Sequence, residues 1–290
     1  MSSTIPITII SLSLLAFVSA VILYFVAQKF KVFEDPRIDE IQAVLPAANC
    51  GGCGFAGCRN FAEALVGADT LEGLICPVGG SDVMGMVAKM LGKEAPAVDP
   101  LVAVLLCNGT PEFRPHTSIY DGAIDCRISN SLYIGETDCS YGCLGNGDCV
   151  RACTFDAMYM DSLTELPVII DEKCVACGAC VRACPRNIIE LRKKAKKDRK
   201  IYVACSNCDK GAPARRACKV ACIACNKCVK VCEFDAIVIE NNLAYIDAVK
   251  CTFCRKCVTE CPTNSIIELN FPPRKSKVEV KVEVETEPDN

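Results

Sequence analysis

Two short stretches restrict this chain more than anything else in it: CVACGACVRACP, from Cys174 to Pro185, and CTFCRKCVTECP, from Cys251 to Pro262. Both carry the spacing C-x2-C-x2-C-x3-C-P. Three thiols this close in sequence share one loop and face one inorganic core. The fourth, followed by a proline that has no N–H to offer, turns away toward a second core. A further cysteine group precedes each run. The spacing C-x12-C-x3-C-x5-C-x3-C occurs at 126/139/143/149/153 and again at 205/218/222/228/232. The chain therefore contains an internal duplication.

The 290 residues include 25 cysteines, one histidine (His116) and no tryptophan. Cysteine at this density means a disulfide scaffold, zinc sites or iron–sulfur clusters. The odd count weakens the disulfide reading, and with one histidine any zinc site is all-cysteine. The cadence C-x2-C-x2-C-x3-C-P is the bacterial dicluster ferredoxin signature, in which the fourth cysteine of each run ligates the neighbouring cluster. Zinc ribbons do not use it twice over. A formal net charge of −3 gives no electrostatic footprint for nucleic acid. No G-x-G-x-x-G or P-loop pattern offers a nucleotide site. His116 stands alone, without a nucleophile partner, and reads as a surface or structural residue.

The second repeat is complete. Cys222, Cys225 and Cys228 with Cys261 are expected to bind one Fe4S4 cluster, and Cys251, Cys254 and Cys257 with Cys232 another. In the first repeat, Cys174, Cys177 and Cys180 with Cys153 make one ordinary site. Its partner has Cys143, Cys149 and Cys184, but position 146 is Asn. Cys139, four residues before Cys143, is the expected substitute. Thr154 follows the fourth cysteine of its run, where Cys184 and Cys261 are followed by proline. Cys107, Cys126, Cys205, Cys208 and Cys218 are left over. They read either as buried thiols packing as small hydrophobes or, for Cys107, Cys126, Cys205 and Cys218, as ligands of an extra cluster between the repeats. By the spacing, Cys126 and Cys205 are equivalent, and Cys208 is spare.

At the N-terminus, Ile5 to Val26 is apolar apart from a few Ser and Thr, long enough to cross a bilayer core of ~30 Å at about 1.5 Å per residue. A cleaved signal peptide carries its positive charge before the apolar run; here Lys29 and Lys31 follow it. The run reads as an uncleaved anchor with the N-terminus outside and the remainder in the reducing cytoplasm. Beyond it, NCGGCGFAGC and the later Cys76 space four cysteines, Cys50, Cys53, Cys58 and Cys76, as C-x2-C-x4-C-x17-C. Glycines at 51, 52, 54 and 57 let backbone N–H groups turn toward an anionic cluster.

The expected fold class is α+β, with an anchor over 1–28, a small four-Cys Fe–S domain over 33–95, and two tandem dicluster ferredoxin-like modules over 98–191 and 201–270. A charged tail over 271–290 reads as disordered or an edge strand. Short helices are expected over Arg37 to Leu45 and from about Arg59 to Val66. LVAVLLC, ending at Cys107, reads as a strand. AMYM pairs with PVIID, and AIVIE pairs with LAYID through an Asn241-Asn242 turn; NIIEL and SIIEL close the two units. The basic run Arg192 to Lys200, with Arg215, Arg216 and Lys219, reads as a solvated linker. Its sharper alternative is a docking patch for an acidic redox partner or anionic lipid.

The order of these parts, an anchor, NCGGCGFAGC, then DGAIDC and GETDCSYGCLGNGDCVRAC, then tandem ferredoxin motifs, resembles the RnfB family. That family is the iron–sulfur subunit of the Rnf complex, here in its longer form with two dicluster modules. The resemblance implies an electron-transfer subunit of a membrane Na+- or H+-translocating ferredoxin:NAD+ oxidoreductase. Its partners would be reduced ferredoxin and the other Rnf membrane and NAD-binding subunits, in the cytoplasmic (inner) membrane. It implies five Fe4S4 clusters, a sixth left open, with flavin and NAD sites on other subunits and no catalytic residues here. Two readings stand beside it: a membrane-tethered polyferredoxin donating to a soluble reductase or corrinoid protein, and a zinc scaffold.

Overall fold

The computed structural model describes residues 4–29, 35–97, 99–132 and 135–273; most of the charged tail lies outside them. The chain opens with α1 (Thr4–Lys29), a helix long and apolar enough to cross a membrane. From Ile9 to Lys29 every side chain is exposed, on all faces. A helix apolar all round with no protein packed on it has lipid as its natural surroundings.

Three helices follow: α2 (Arg37–Val44), α3 (Cys58–Gly67) and α4 (Gly80–Leu91). The first two fall within a residue or so of expectation. The third goes beyond it, because GSDVMGMVAKML carries two glycines. Its apolar residues nonetheless recur at helical spacing, and Met84, Val87 and Ala88 pack with Ile41, Phe61 and Leu65 into one core. Gly92 ends α4 in the left-handed conformation, at φ +64°, where a side chain would be strained.

Each repeat is then built alike. The first contains β1 (Leu101–Leu105), α5 (Cys126–Leu132), α6 (Asp148–Arg151), β2 (Met158–Met160), β3 (Pro167–Ile169), α7 (Ala179–Ala183) and β4 (Ile189–Lys193). The second contains β5 (Lys200–Val203), α8 (Gly211–Ala217), α9 (Lys227–Lys230), β6 (Ile237–Glu240), β7 (Leu243–Ile246), α10 (Lys256–Glu260) and β8 (Ile266–Leu269). All the ribbons described are two-stranded and antiparallel, β1 with β4, β2 with β3, β5 with β8 and β6 with β7. Leu101 faces Lys193 and Lys200 faces Leu269, so first and last strands close each repeat. Asn241 and Asn242 turn the β6–β7 hairpin at φ +49° and +61°, as the pair of asparagines predicts. Ribbons this small cannot hold a fold alone, and their cores are completed by cysteines.

Strand alternation explains how the repeats meet. In β1, Ala103 and Leu105 enter the core of their own repeat, while Val104 points the other way, against Tyr202 and Ala204. In β5, Ile201 and Val203 face inward and Tyr202 faces the other repeat. With both faces covered, LVAVLLC has no polar side to show. Beyond the strands, Asn108 N–H donates to Ala204 O (3.1 Å) and Ser206 Oγ to Leu106 O (2.9 Å).

The basic run is solvated only in part: Lys193 and Lys197 are exposed, as are Arg215, Arg216 and Lys219, but its two ends are not. Arg192 and Lys200 are each only 6% exposed. Arg192 lies over the rings of Tyr202 and Tyr245, at 5.7 and 5.0 Å, and donates to Ile246 O at 3.0 Å. Lys200 pairs with the half-buried Asp171 at 2.6 Å. These two charges, expected to face solvent, clamp the repeats together.

Candidate metal centre

The cysteine loops share a backbone pattern. Between the cysteines of each C-x2-C-x2-C run, two residues take positive φ: Ala176 and Gly178, Ala224 and Asn226, Phe253 and Arg255. Alternating right- and left-handed residues turn successive N–H groups to one side, making a concavity for an anion. The run from Cys143 to Cys149 does the same at Gly145 (φ +79°) and Gly147 (φ +75°), the same offsets from its first cysteine. The loop around Asn146 thus keeps the cluster-binding conformation. Three residues after each fourth cysteine the chain again takes positive φ, at Asp156, Asn187, Asp235 and Asn264, residue types that tolerate it. Thr154 in place of proline leaves that turn unchanged.

These loops bring the expected thiols together around pockets. Cys153, Cys174, Cys177 and Cys180 line one of 340 Å³. Cys222, Cys225, Cys228 and Cys261 line one of 310 Å³, and Cys232, Cys251, Cys254 and Cys257 one of 320 Å³. In the N-terminal unit, Cys53 and Cys58 pack against the core that contains Cys76, whose thiol lies in electrostatic range of Cys50 and Cys53. Gly79 N–H donates to Cys76 Sγ at 3.4 Å, and the Asn49 side chain accepts from Cys58 N–H at 2.8 Å. Among the described residues, no three His, Cys, Asp or Glu side chains are gathered as around a single metal ion.

The Asn146 site differs from expectation. Its pocket, of 380 Å³, is lined by Cys143, Cys149, Cys184 and Cys126, not Cys139. Cys126 is the first residue of α5, held in place by its own N–H to Asp148 Oδ2 at 2.9 Å. The Asn146 side chain donates to Ser129 Oγ at 2.8 Å, one turn along the same helix. The replaced residue thus fastens the helix that carries its substitute. Sequence spacing favours Cys139 because it is nearer along the chain. The only signal for Cys126 is the DGAIDC stretch, an Asp-capped helix start, where Asp125 Oδ1 accepts from Arg127 and Ile128 N–H.

The pairing of Cys126 with Cys205 is corrected for the same reason. The residue that occupies in β1's repeat the place Cys205 takes after β5 is Cys107, two residues beyond the end of each strand. Cys126 therefore leaves the set of spare thiols and Cys139 joins it. Cys208 stands apart, its Sγ directed at Ser206 O. His116 bridges Glu136 (3.2 Å) and Glu165 (2.8 Å), a structural role at the surface.

Burial sets the state of the thiols. It pushes Cys143, Cys149 and Cys257 up to about 12, and Cys180 and Cys228 up to about 11, with neighbouring thiols adding to the rise. A cage of neutral thiols must shed protons to take up iron. Pockets lined by four sulfurs, floored by convergent N–H groups and closed by aliphatic side chains fit Fe4S4 cores.

Three family models match: an Fe-S cluster domain over residues 45–71, a 4Fe-4S binding domain over 167–190 and a 4Fe-4S dicluster domain over 221–265. The B subunit of the Na(+)-translocating ferredoxin:NAD(+) oxidoreductase complex of Acetobacterium woodii is 45% identical over 76% of this chain and 65% of its own length. The B subunit of the proton-translocating ferredoxin:NAD(+) oxidoreductase complex of Clostridium ljungdahlii is 38% identical, covering 84% of this chain and 85% of that protein. The B subunit of the ion-translocating oxidoreductase complex of Methanosarcina acetivorans is 38% identical, covering 86% and 93%.

The chain belongs to the RnfB family. Its members are the B subunits of ion-translocating ferredoxin:NAD+ oxidoreductase complexes. The Acetobacterium relative is longer, and this chain spans just under two thirds of it. As a member of the RnfB family, the chain is an iron–sulfur protein. Its apolar α1 fits association with a membrane.

Proposed function

We propose that this chain is the electron-transfer subunit of a membrane ion-translocating ferredoxin:NAD+ oxidoreductase. It takes electrons from reduced ferredoxin and passes them to the other subunits of its complex. One observation carries the reading: neighbouring thiol sets approach one another within each repeat and between the first repeat and the N-terminal unit. Cys257 lies in electrostatic range of Cys228 as well as of its own set, linking the two sites of the second repeat. Cys149 is likewise in range of Cys180, linking the two sites of the first. Cys177 is in range of Cys50, and Arg182 ties those loops together, donating to Cys177 O at 3.2 Å and Cys50 O at 3.1 Å.

Bound Fe4S4 clusters supply one-electron carriers at these sites. The protein supplies the order, the dry aliphatic walls and the N–H groups that tune each site. Entry belongs at the second repeat, where Cys225 and Cys254 are the exposed thiols. Exit belongs at the Cys50 site, next in sequence to the anchor. The lysines that follow the apolar run support a cytoplasmic remainder. Flavin and NAD chemistry belongs to partner subunits, and the pumped ion is theirs to select.

The test is isolation from native membranes followed by reduction with ferredoxin. Co-purification with polytopic subunits, and full bleaching of the chain's visible absorbance by reduced ferredoxin, are expected. Isolation free of such subunits, with a soluble reductase or corrinoid protein as the acceptor, points to a tethered polyferredoxin instead. Colourless protein holding zinc sinks both.

A further inference from the structure

Besides Cys208, four cysteines remain outside the five sites: Cys107, Cys139, Cys205 and Cys218. They come from both repeats and meet between them. The Cys218 thiol is in electrostatic range of Cys107 and Cys139, and the Cys205 thiol in range of Cys107. Asn207 Nδ2 donates to Cys139 Sγ at 3.7 Å, while its backbone N–H donates to Cys205 Sγ at 3.4 Å, joining the remaining pair. Cys139 and Cys218 are 5% and 6% exposed.

The arrangement has an approximate two-fold symmetry. Cys143 N–H donates to Cys107 Sγ at 3.5 Å, and its counterpart Cys222 N–H donates to Cys205 Sγ at 3.3 Å. Cys139 and Cys218, each four residues ahead of those donors, form the second equivalent pair. Each repeat thus contributes the same two thiols, one after its first strand and one before its first cluster loop.

A second feature points to an anion among them. Arg114 is 8% exposed, and its Nε is buried without a hydrogen-bond partner. Its guanidinium lies against Gly142, which also adjoins Cys139 Sγ: a Cβ built on Gly142 would collide with Arg114 Nη1 and stand 3.4 Å from that sulfur. The same guanidinium is in electrostatic range of the Cys143 and Cys218 thiols. Arg186 adds a second cation, in range of Cys139, Cys143 and Cys107, with its Nη1 donating to Cys139 O at 3.3 Å. One buried and one half-buried guanidinium packed among sulfurs are costly without an anion to face. Beside a thiolate-ligated cluster they are counter-charges.

We propose that Cys107, Cys139, Cys205 and Cys218 hold a further Fe4S4 cluster, shared between the two repeats. It rests on the reading of this chain as an iron–sulfur electron carrier, and it supplies what that reading lacks. The five other sites form two separate groups, three on the first-repeat side and two on the second. The inter-repeat site touches both groups, through Cys143 on one side and Cys222 on the other. On binding, each thiol gives up its proton as its sulfur takes an iron. Cys126 has no part in this site.

Iron and sulfide counts on the full chain, purified alone and anaerobically in detergent, test the proposal. About 24 irons per chain are expected; about 20 overturn the shared site and leave the other five standing. Absence of iron overturns the electron-carrier reading with it. Cys107→Ser and Cys205→Ser should each lose about four irons, and the double variant no more than either single one, because one cluster draws ligands from both repeats. Additive losses, or none, overturn the assignment. Cys208→Ser is the control and should keep its full count. Should a variant prove insoluble, the wild-type count still decides.

Discussion

Asn146 donates its side-chain N–H to Ser129 Oγ at 2.8 Å, in the helix that begins with Cys126, the residue twenty positions before Asn146 that lines the pocket of Cys143, Cys149 and Cys184. The loop was not altered to accommodate the exchange, since Gly145 and Gly147 keep the positive φ of every other cluster loop. Cys126→Ser should therefore cost about four irons, and adding Asn146→Cys should restore them. Cys126→Ser and Cys205→Ser should be additive, about eight irons lost together, because they serve different sites. Iron and sulfide analysis of the three variants checks this.

Gly52 marks where the N-terminal unit meets the first repeat. A Cβ there would lie 2.8 Å from Pro77 Cγ and 3.0 Å from both Cα and O of Cys177. Backbone cannot yield as a side-chain tip can, so Gly52→Ala should weaken this contact by about 1–3 kcal/mol. We expect faster proteolysis between α4 and β1 and slower electron transfer from the Cys177 site to the Cys50 site, with total iron unchanged. Limited digestion and stopped-flow reduction measure the two effects.

The clamp between repeats gives a stability prediction. Lys200→Met would leave Asp171, whose side chain is 13% exposed, without its cation. Stranding one partner of a buried pair costs roughly 3–5 kcal/mol. The double variant with Asp171→Asn should recover part of that loss. Urea unfolding, followed through the visible absorbance, reports the order: wild type, then double variant, then single.

Arg192 holds the same interface by its plane. Stacked on two tyrosines and bonded to Ile246 O, it is served by a flat guanidinium, not by charge alone. Arg192→Lys should therefore behave much like Arg192→Met, each about 1.5–3 kcal/mol less stable. A lysine as stable as the native arginine would count against this role.

Removing residues 1–29 should move the protein from the membrane fraction to the soluble one. Its iron content should be unchanged, since none of the exposed α1 side chains covers a cysteine site. Fractionation and iron analysis of the truncated chain suffice.

Much of the protein is written in spacing that a reader of sequence can follow. C-x2-C-x2-C-x3-C-P names its own chemistry because ligands of one loop are neighbours along the chain. Hairpins announce themselves through local pairs such as Asn241-Asn242, and α1 through an unbroken apolar run. The apolar helix, the repeat, the iron–sulfur class and the candidate thiol sets of the ordinary loops were legible for that reason. What stayed hidden depends on residues distant in sequence. Spacing puts Cys139 into the Asn146 site and matches Cys126 with Cys205. The fold reverses both, since α5 swings Cys126 over the loop while β1 and β5 deliver Cys107 and Cys205 to a common place. The basic run Arg192 to Lys200 looks solvated because charge usually is. Only the packing of one repeat's strands on the other's shows Arg192 stacked on tyrosines and Lys200 paired with Asp171. Sequence determines which loops can bind a cluster, through short-range geometry; tertiary structure alone decides how sulfurs distant along the chain are shared out.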